Sequence, residues 1–487
     1  MPGLAAVVEG EASARRRLTA FRKVLYRCLR RRADALFELV DAVLTAPGRV
    51  GSLVEFSEVN AFRRGHGALY DALACGTVDT GALRGLLAGA WGPVDDGPLK
   101  IAVDVSPWPR PDAETSAERC HCYTACRCDG SRKTIPGWPY SFAAGLEWGA
   151  SSWTALLDAV RIGQDDDATL ATVCQVARII GQLRDTGLLA DRPAPVIVLD
   201  SGYDLSRISY LAGREGLAVQ VLGRVRSDRV FYGRASACRR DGRPGRPPRH
   251  GDRYPVKEWT SWPAPDGQVH ADSPRYGKVE VSAWHGLHQK LGRQGGWAHL
   301  PARDELPIVA GTLIRIHVGH LPGNRTPEDV WLWHNAPAET AFDLDLLWKT
   351  YLRRFDLEHT FKTLKTLLGW TLPQIRTPAQ GDRWTWLILA AHTQLRLARH
   401  LAPDLRRRWE KPLPAHRTLT PGRVHRGFAH LRRLMGTPAR KPKPTTPGPG
   451  RPPGSTRPGR IRHPVGKMTP TPKKNNTVPS PEAGQNG

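Results

Sequence analysis

Four side chains in one short stretch, Tyr351, Arg354, Glu358 and Lys365, have the types and spacing to handle a phosphodiester. Steps of three, four and seven residues bring them to one face if the stretch is helical. A carboxylate among two cations and a phenol can hold a divalent ion while Arg and Lys grip phosphate oxygens. A solvated helix with favourable pairs such as Arg354–Glu358 accounts for the same charges equally well, so this stretch alone decides nothing. The neighbouring stripe of Leu357, Phe361, Leu364 and Leu368 is expected to bury against a sheet, with Gly369 ending the helix.

Two further acids sit where strands are expected. The apolar, β-branched run Leu99–Val105 predicts a buried strand carrying Asp104, and Val196–Leu199 predicts a second that ends at Asp200. Tyr140–Trp148 and Leu217–Val225 have the same texture, and Ala168–Leu189 has helical spacing behind the acids Asp165–Asp167. Strands alternating with helices indicate an α/β layer structure. Phosphodiesters resist attack because the nucleophile must approach an anion and an alkoxide must leave. Two divalent ions about 3.5–4 Å apart ease both steps. Mg²⁺, or Mn²⁺ in its place, prefers carboxylate oxygens and keeps some of its waters. Three carboxylates from two strands and one helix can be enough to hold such ions.

The spacing Y-(2)-R-(3)-E-(6)-K resembles the signature of a group of bacterial insertion-sequence transposases within the DDE, RNase H-like superfamily. The turn Asp200-Ser201-Gly202-Tyr203 is similar to that group's D-x-G-Y/F, and Arg224-Val225-Arg226 to its strand ending in R-x-R. The segment from Ile135 to Trp148 also resembles the stretch that follows the first aspartate. Together the likeness spans roughly 95–400. It implies an RNase H-like mixed sheet with flanking helices, a β-rich insertion and a helical N-terminal domain. It further implies DNA contacts from Tyr351, Arg354, Lys365, Arg224 and Arg226, with catalysis and metal binding by Asp104, Asp200 and Glu358. The activity implied is binding of an element's terminal inverted repeats, metal-dependent cleavage there, and transfer of the 3′-hydroxyls to target DNA by a homodimer on paired ends. A transposase-derived protein that only binds DNA, and a related nuclease that cleaves without joining, are the alternatives.

Composition agrees with a nucleic-acid partner. The chain has 71 Lys and Arg against 46 Asp and Glu, a formal charge of +25, which draws in polyanions. No stretch approaches the roughly 20 apolar residues of a membrane span, and no export signal is apparent. Eight scattered cysteines in a chain this long fit a reducing cytoplasm, bacterial and nucleoid-associated if the resemblance holds. The organisation expected is a helical domain over 1–95, a first part of the core over 96–225, a mostly β insertion over 226–340, the rest of the core over 341–435, and a basic, Pro-rich disordered tail over 436–487.

Other signals have plainer explanations. Cys120-His121-Cys122 with Cys126 and Cys128 has gaps too tight for the usual zinc pairing, so a loop with reduced thiols is favoured. Asp165–Asp167 suits a helix start. Asp112, Glu114 and Glu118 are assigned no role, and helical geometry turns His359 away from Glu358. Trp259, Trp262, Trp284 and Trp297 are expected to pack a core, with base stacking as the alternative. The strings Gly242–Pro248 and Gly450–Pro453 are read as linkers.

Overall fold

The computed structural model describes the 487-residue chain except residues 1–3, 49, 93–94, 126–131, 150, 236–247, 302–303, 322–325, 336–342, 415–416, 445–451, 457–458 and 467–487. Four helices come first: α1 (Leu4–Cys28), α2 (Ala33–Thr45), α3 (His66–Cys75) and α4 (Thr80–Gly89). Four strands follow, β1 (Lys100–Pro109), β2 (Cys120–Ala125), β3 (Arg132–Leu146) and β4 (Thr154–Arg161). Helix α5 (Ala168–Asp185) leads to β5 (Val196–Leu199), and α6 (Leu205–Arg214) to β6 (Gln220–Val225). The segment expected to be a β insertion supplies β7 (Val230–Arg234), β8 (His250–Pro255), β9 (Gly267–Ser273), β10 (Gly277–Gln289), β11 (Gly311–Val318) and β12 (Val330–His334). Helices α7 (Leu344–Arg353), α8 (Phe355–Thr366), α9 (Pro378–Leu397) and α10 (Pro421–Met435) complete the order.

This is the expected mixed α/β sheet with flanking helices. β3 runs antiparallel to both β1 and β4, while β1, β5 and β6 are parallel. Parallel neighbours need crossovers, which α5 and α6 help to make. The insertion strands do not form a separate layer. β12 pairs antiparallel with β6, so β11 and β10 prolong the same sheet.

Side-chain alternation divides the core in two. Ala102, Val196, Val198 and Leu222 face one cluster, shared with α2, α8 and α9. Ile101, Val103, Ile197, Leu199 and Val221 face the other, against α5 and α6. Asp167 caps α5 by accepting from the Thr169 and Leu170 N–H groups, as a helix start requires.

The first four helices pack against α9, α10 and β4. Helix α2 is apolar on nearly every side because α9 and α10 cover it, and its buried Glu38 and Asp41 are neutralised across elements. Asp41 pairs with Arg22 of α1 at 2.7 Å and Arg432 of α10 at 2.9 Å. Two segments expected to lack regular structure are placed on the sheet edge. Cys120 and Cys122 lie buried in strand β2 with free thiols, because alternation turns both inward. Burial pushes their pKa values up, to about 11 and about 12. Within the Pro-rich tail, the Gly466 N–H donates to Arg119 and its carbonyl accepts from His121, so the edge beside β2 is capped. Cys126, Cys128 and the string Gly242–Pro247 lie outside the described residues.

Trp91, which follows α4, seats its ring on Gly145 of β3, where a Cβ would come within 2.2 Å of the indole. Gly145→Ala should therefore lower stability by about 1–3 kcal/mol through overpacking. Thermal unfolding checks this; an unchanged midpoint would mean the ring is free to shift.

Candidate active site

Strand register brings the first residues together. Ala102 pairs with Val198, and Val198 with Leu222, so one row crosses β1, β5 and β6. Two residues further along each chain stand Asp104, Asp200 and Arg224. A period of two puts all three on the face that α8 and α9 cover. Here the order also reverses, since β1 continues to β3 on one side and β5 on the other. Ligand sites in open α/β sheets lie at the carboxyl ends of strands at such a switch. After Asp200 the chain turns at once, and Asp204 caps α6 by accepting from the Arg207 N–H at 3.0 Å.

The Tyr351–Lys365 stretch is two helices. At Arg354 the bonding tightens: its N–H donates to Tyr351 at 3.1 Å, and the Leu357 N–H donates to Arg354 at 3.0 Å. These i to i−3 bonds shift the angular relation between the two helices. Tyr351 and Arg354 are consequently buried, 2% and 3% exposed, whereas the Glu358 side chain is 49% exposed. The four residues do not share one outward face.

Helix α8 itself behaves as its apolar stripe requires. Leu357, Phe361, Leu364 and Leu368 are buried, with Phe361 against Phe142 of β3 at 5.3 Å between ring centroids. The Thr360 and Thr154 hydroxyls bond at 2.8 Å, pinning α8 to β4. Gly369 follows the helix with φ +68°, and a side chain there would also meet Leu372 at 2.6 Å. Lys365 is half-buried near Trp370; burial lowers its pKa and the Asp104 charge raises it.

Three acids converge on one cation. The Arg354 guanidinium donates to Asp104 at 3.1 Å and Glu358 at 3.1 Å, and lies 3.8 Å from Asp200. Asp104 is 21% exposed at its side chain. Burial pushes its pKa up to about 6; Arg354 and the Val105 N–H pull it down, while Asp200 and Glu358 push it up. Tyr203 stands behind the acids, and burial first, then Asp104 and Asp200, raises its pKa well above the phenolic range. No role was assigned to Tyr203 from sequence, although it belongs to the Asp200 turn.

The donor set suits a hard divalent ion, since all three acids offer carboxylate oxygens. Among the described residues no three His, Cys, Asp or Glu side chains hold a metal-ready arrangement. Arg354 lies within 3.8 Å of all three acids.

Arg224 and Arg226 are exposed at the end of β6, beside the Asp200 turn. The discounted signals are accounted for elsewhere. Asp167 pairs with Arg207, Glu118 with Arg161 at 2.6 Å, and Glu114 with Arg462 at 3.2 Å. His359 is exposed. Trp259, Trp262 and Trp284 pack with Trp331 in one aromatic cluster, and Trp297 against Tyr210.

The family described as DDE superfamily endonuclease matches residues 24–290, more than half of the chain. The chain belongs to this family. The matched span contains Asp104 and Asp200 and ends before Glu358. Among solved structures, the chain is similar to one titled "Cryo-EM structure of piggyBac transposase synaptic complex with hairpin DNA (SNHP)". The identity is 8% and the TM-score 0.39, covering 84% of this chain and 73% of that one. No curated protein matches. No helix among the described residues is long and apolar enough to cross a membrane.

For this DDE-family chain the raised Asp104 pKa has a signed consequence. The folded state holds the proton more tightly than the unfolded state, where the usual value is 3.8. Its stabilising effect is therefore present below about pH 4 and lost as pH rises through about 6. Asp104→Asn should gain about 2–3 kcal/mol on wild type between pH 4 and pH 8. Denaturant unfolding at the two pH values measures it, and an equal difference at both would refute the burial argument.

Proposed function

We propose that the chain is a DNA transposase of the Tyr-Arg-Glu-Lys signature group, acting at the terminal inverted repeats of its own mobile element. It cleaves DNA there and transfers the exposed 3′-hydroxyls to target DNA, as a homodimer on paired ends in the bacterial nucleoid. Asp104, Asp200 and Glu358 are the proposed catalytic acids and ligands of two Mg²⁺ ions, or Mn²⁺ in their place. The observation that supports this most is their common approach, within 3.8 Å, to one guanidinium at the carboxyl edge of the sheet. When bound, such ions activate the attacking oxygen and stabilise the departing one.

The protein's own groups have separate roles in this reading. Arg354, buried and turned inward, offsets the repulsion among the three acids and holds their spacing; its burial argues against an outward grip on phosphate. Tyr351 packs behind it, its hydroxyl pKa raised by burial first, lowered by Arg354 and raised by Asp200. Lys365, Arg224 and Arg226 remain the proposed phosphate contacts, the two arginines being exposed beside the Asp200 turn.

The family description favours cleavage over DNA binding alone, and leaves a nuclease without strand transfer as the second reading. One assay separates them: purified protein with Mg²⁺ and a labelled duplex carrying the inverted repeat that flanks the gene. Wild type should cleave and join, while Glu358→Gln should bind the duplex and fall below detectable cleavage. Cleavage without joined product supports the plain nuclease; no cleavage by wild type removes the enzymatic reading.

A further inference from the structure

A groove of ≈ 370 Å³ begins one residue beyond Asp200. The Ser201–Leu205 turn forms one wall with the end of β6, and the insertion forms the other through Arg229 and the loop that follows β10. Four exposed cations line it: Arg224, Arg226, Arg229 and Lys290. None of the four is paired with a carboxylate among the described residues. The single acid in the lining, Asp204, is committed to capping α6.

The far wall is built, not incidental. Lys290 comes directly after Gln289, which pairs with Phe231 of β7. One residue earlier, buried His288 bonds His250 of β8 at 2.8 Å. The insertion sheet thus holds Lys290 across from the core's Arg224 and Arg226. Four unneutralised cations along one groove attract a phosphodiester backbone. Pockets of roughly 300–1,000 Å³ hold drug-sized molecules, so a groove of ≈ 370 Å³ is on the scale of a nucleotide or two of one strand.

We infer that this groove is a single-strand track, in which Arg229 and Lys290 join Arg224 and Arg226 in holding the DNA strand that leads away from the reacting phosphate. This rests on the transposase reading for the identity of the polyanion. The insertion thereby acquires a role of its own, since it supplies the second wall of the strand path.

The test uses the full-length protein in EDTA, with fluorescence anisotropy on two labelled DNAs, a blunt duplex and the same duplex with a single-stranded extension. Wild type should bind the extended DNA more tightly. Arg229→Ala with Lys290→Ala should abolish that preference. It should also reduce the slope of log affinity against log salt on the extended DNA by about 1.4, for two phosphates at ~0.7 each, and leave the blunt slope unchanged. The charge-conserving pair Arg229→Lys with Lys290→Arg should keep the wild-type slope, separating lost charge from lost folding. Equal slopes for wild type and the alanine pair on the extended DNA, or no wild-type preference for the extension, would overturn the track while leaving DNA binding intact. Wild type that bound neither DNA would overturn the transposase reading and the track together.

Discussion

Three carboxylates gathered at the end of a buried sheet repel one another, and they stay together only if a positive charge sits among them. Arg354 is that charge. Its guanidinium reaches Asp104, Asp200 and Glu358 at once, at 3.1, 3.8 and 3.1 Å. Arg354 is itself buried, so its charge needs these acids as much as they need it, while Asp200 and Glu358 keep partial contact with solvent. The proposed ions would supply the same compensation, so the guanidinium and the ions are alternative counter-charges for one acid cluster.

Alternation and register position the two strand-borne acids. Ala102, Val198 and Leu222 form one row across three parallel strands, and two residues further the row becomes Asp104, Asp200 and Arg224. A one-residue slip of β5 would send Asp200 to the opposite face, against α5 and α6. The third acid comes from a helix, so its place depends on packing: Phe361 on Phe142, Thr360 on Thr154, and the buried Leu357 and Leu364. The long insertion does not disturb this frame because β12 adds to the free side of β6.

The two strand-borne acids were legible because short β-branched runs ending in aspartate have few other readings. The α8 stripe was legible for the same kind of reason, a strong 3.6 period closed by glycine. The break at Arg354 was not, since spacing counts residues and cannot register two i to i−3 bonds that turn Tyr351 and Arg354 inward. Strand β2 was hidden by its cysteines, whose spacing invites a metal question; burial of Cys120 and Cys122 on one face is what makes it a strand. β4 went unread although Thr154–Arg161 is largely apolar and pairs with the preceding strand β3. Lys290 and Arg229 were unremarkable in a chain of 71 Lys and Arg, and only the fold puts them beside Arg224.

If one acid cluster serves both Arg354 and divalent ions, loading the ions must displace the guanidinium. Anomalous scattering from crystals of the protein soaked in Mn²⁺ reads both events at once. Mn²⁺ peaks are expected at carboxylate-ligand distance from Asp104, Asp200 and Glu358, with the guanidinium withdrawn from their centre. Peaks elsewhere, or none while Arg354 still bridges the three acids, would show that the cluster is an ion pair and not a metal site.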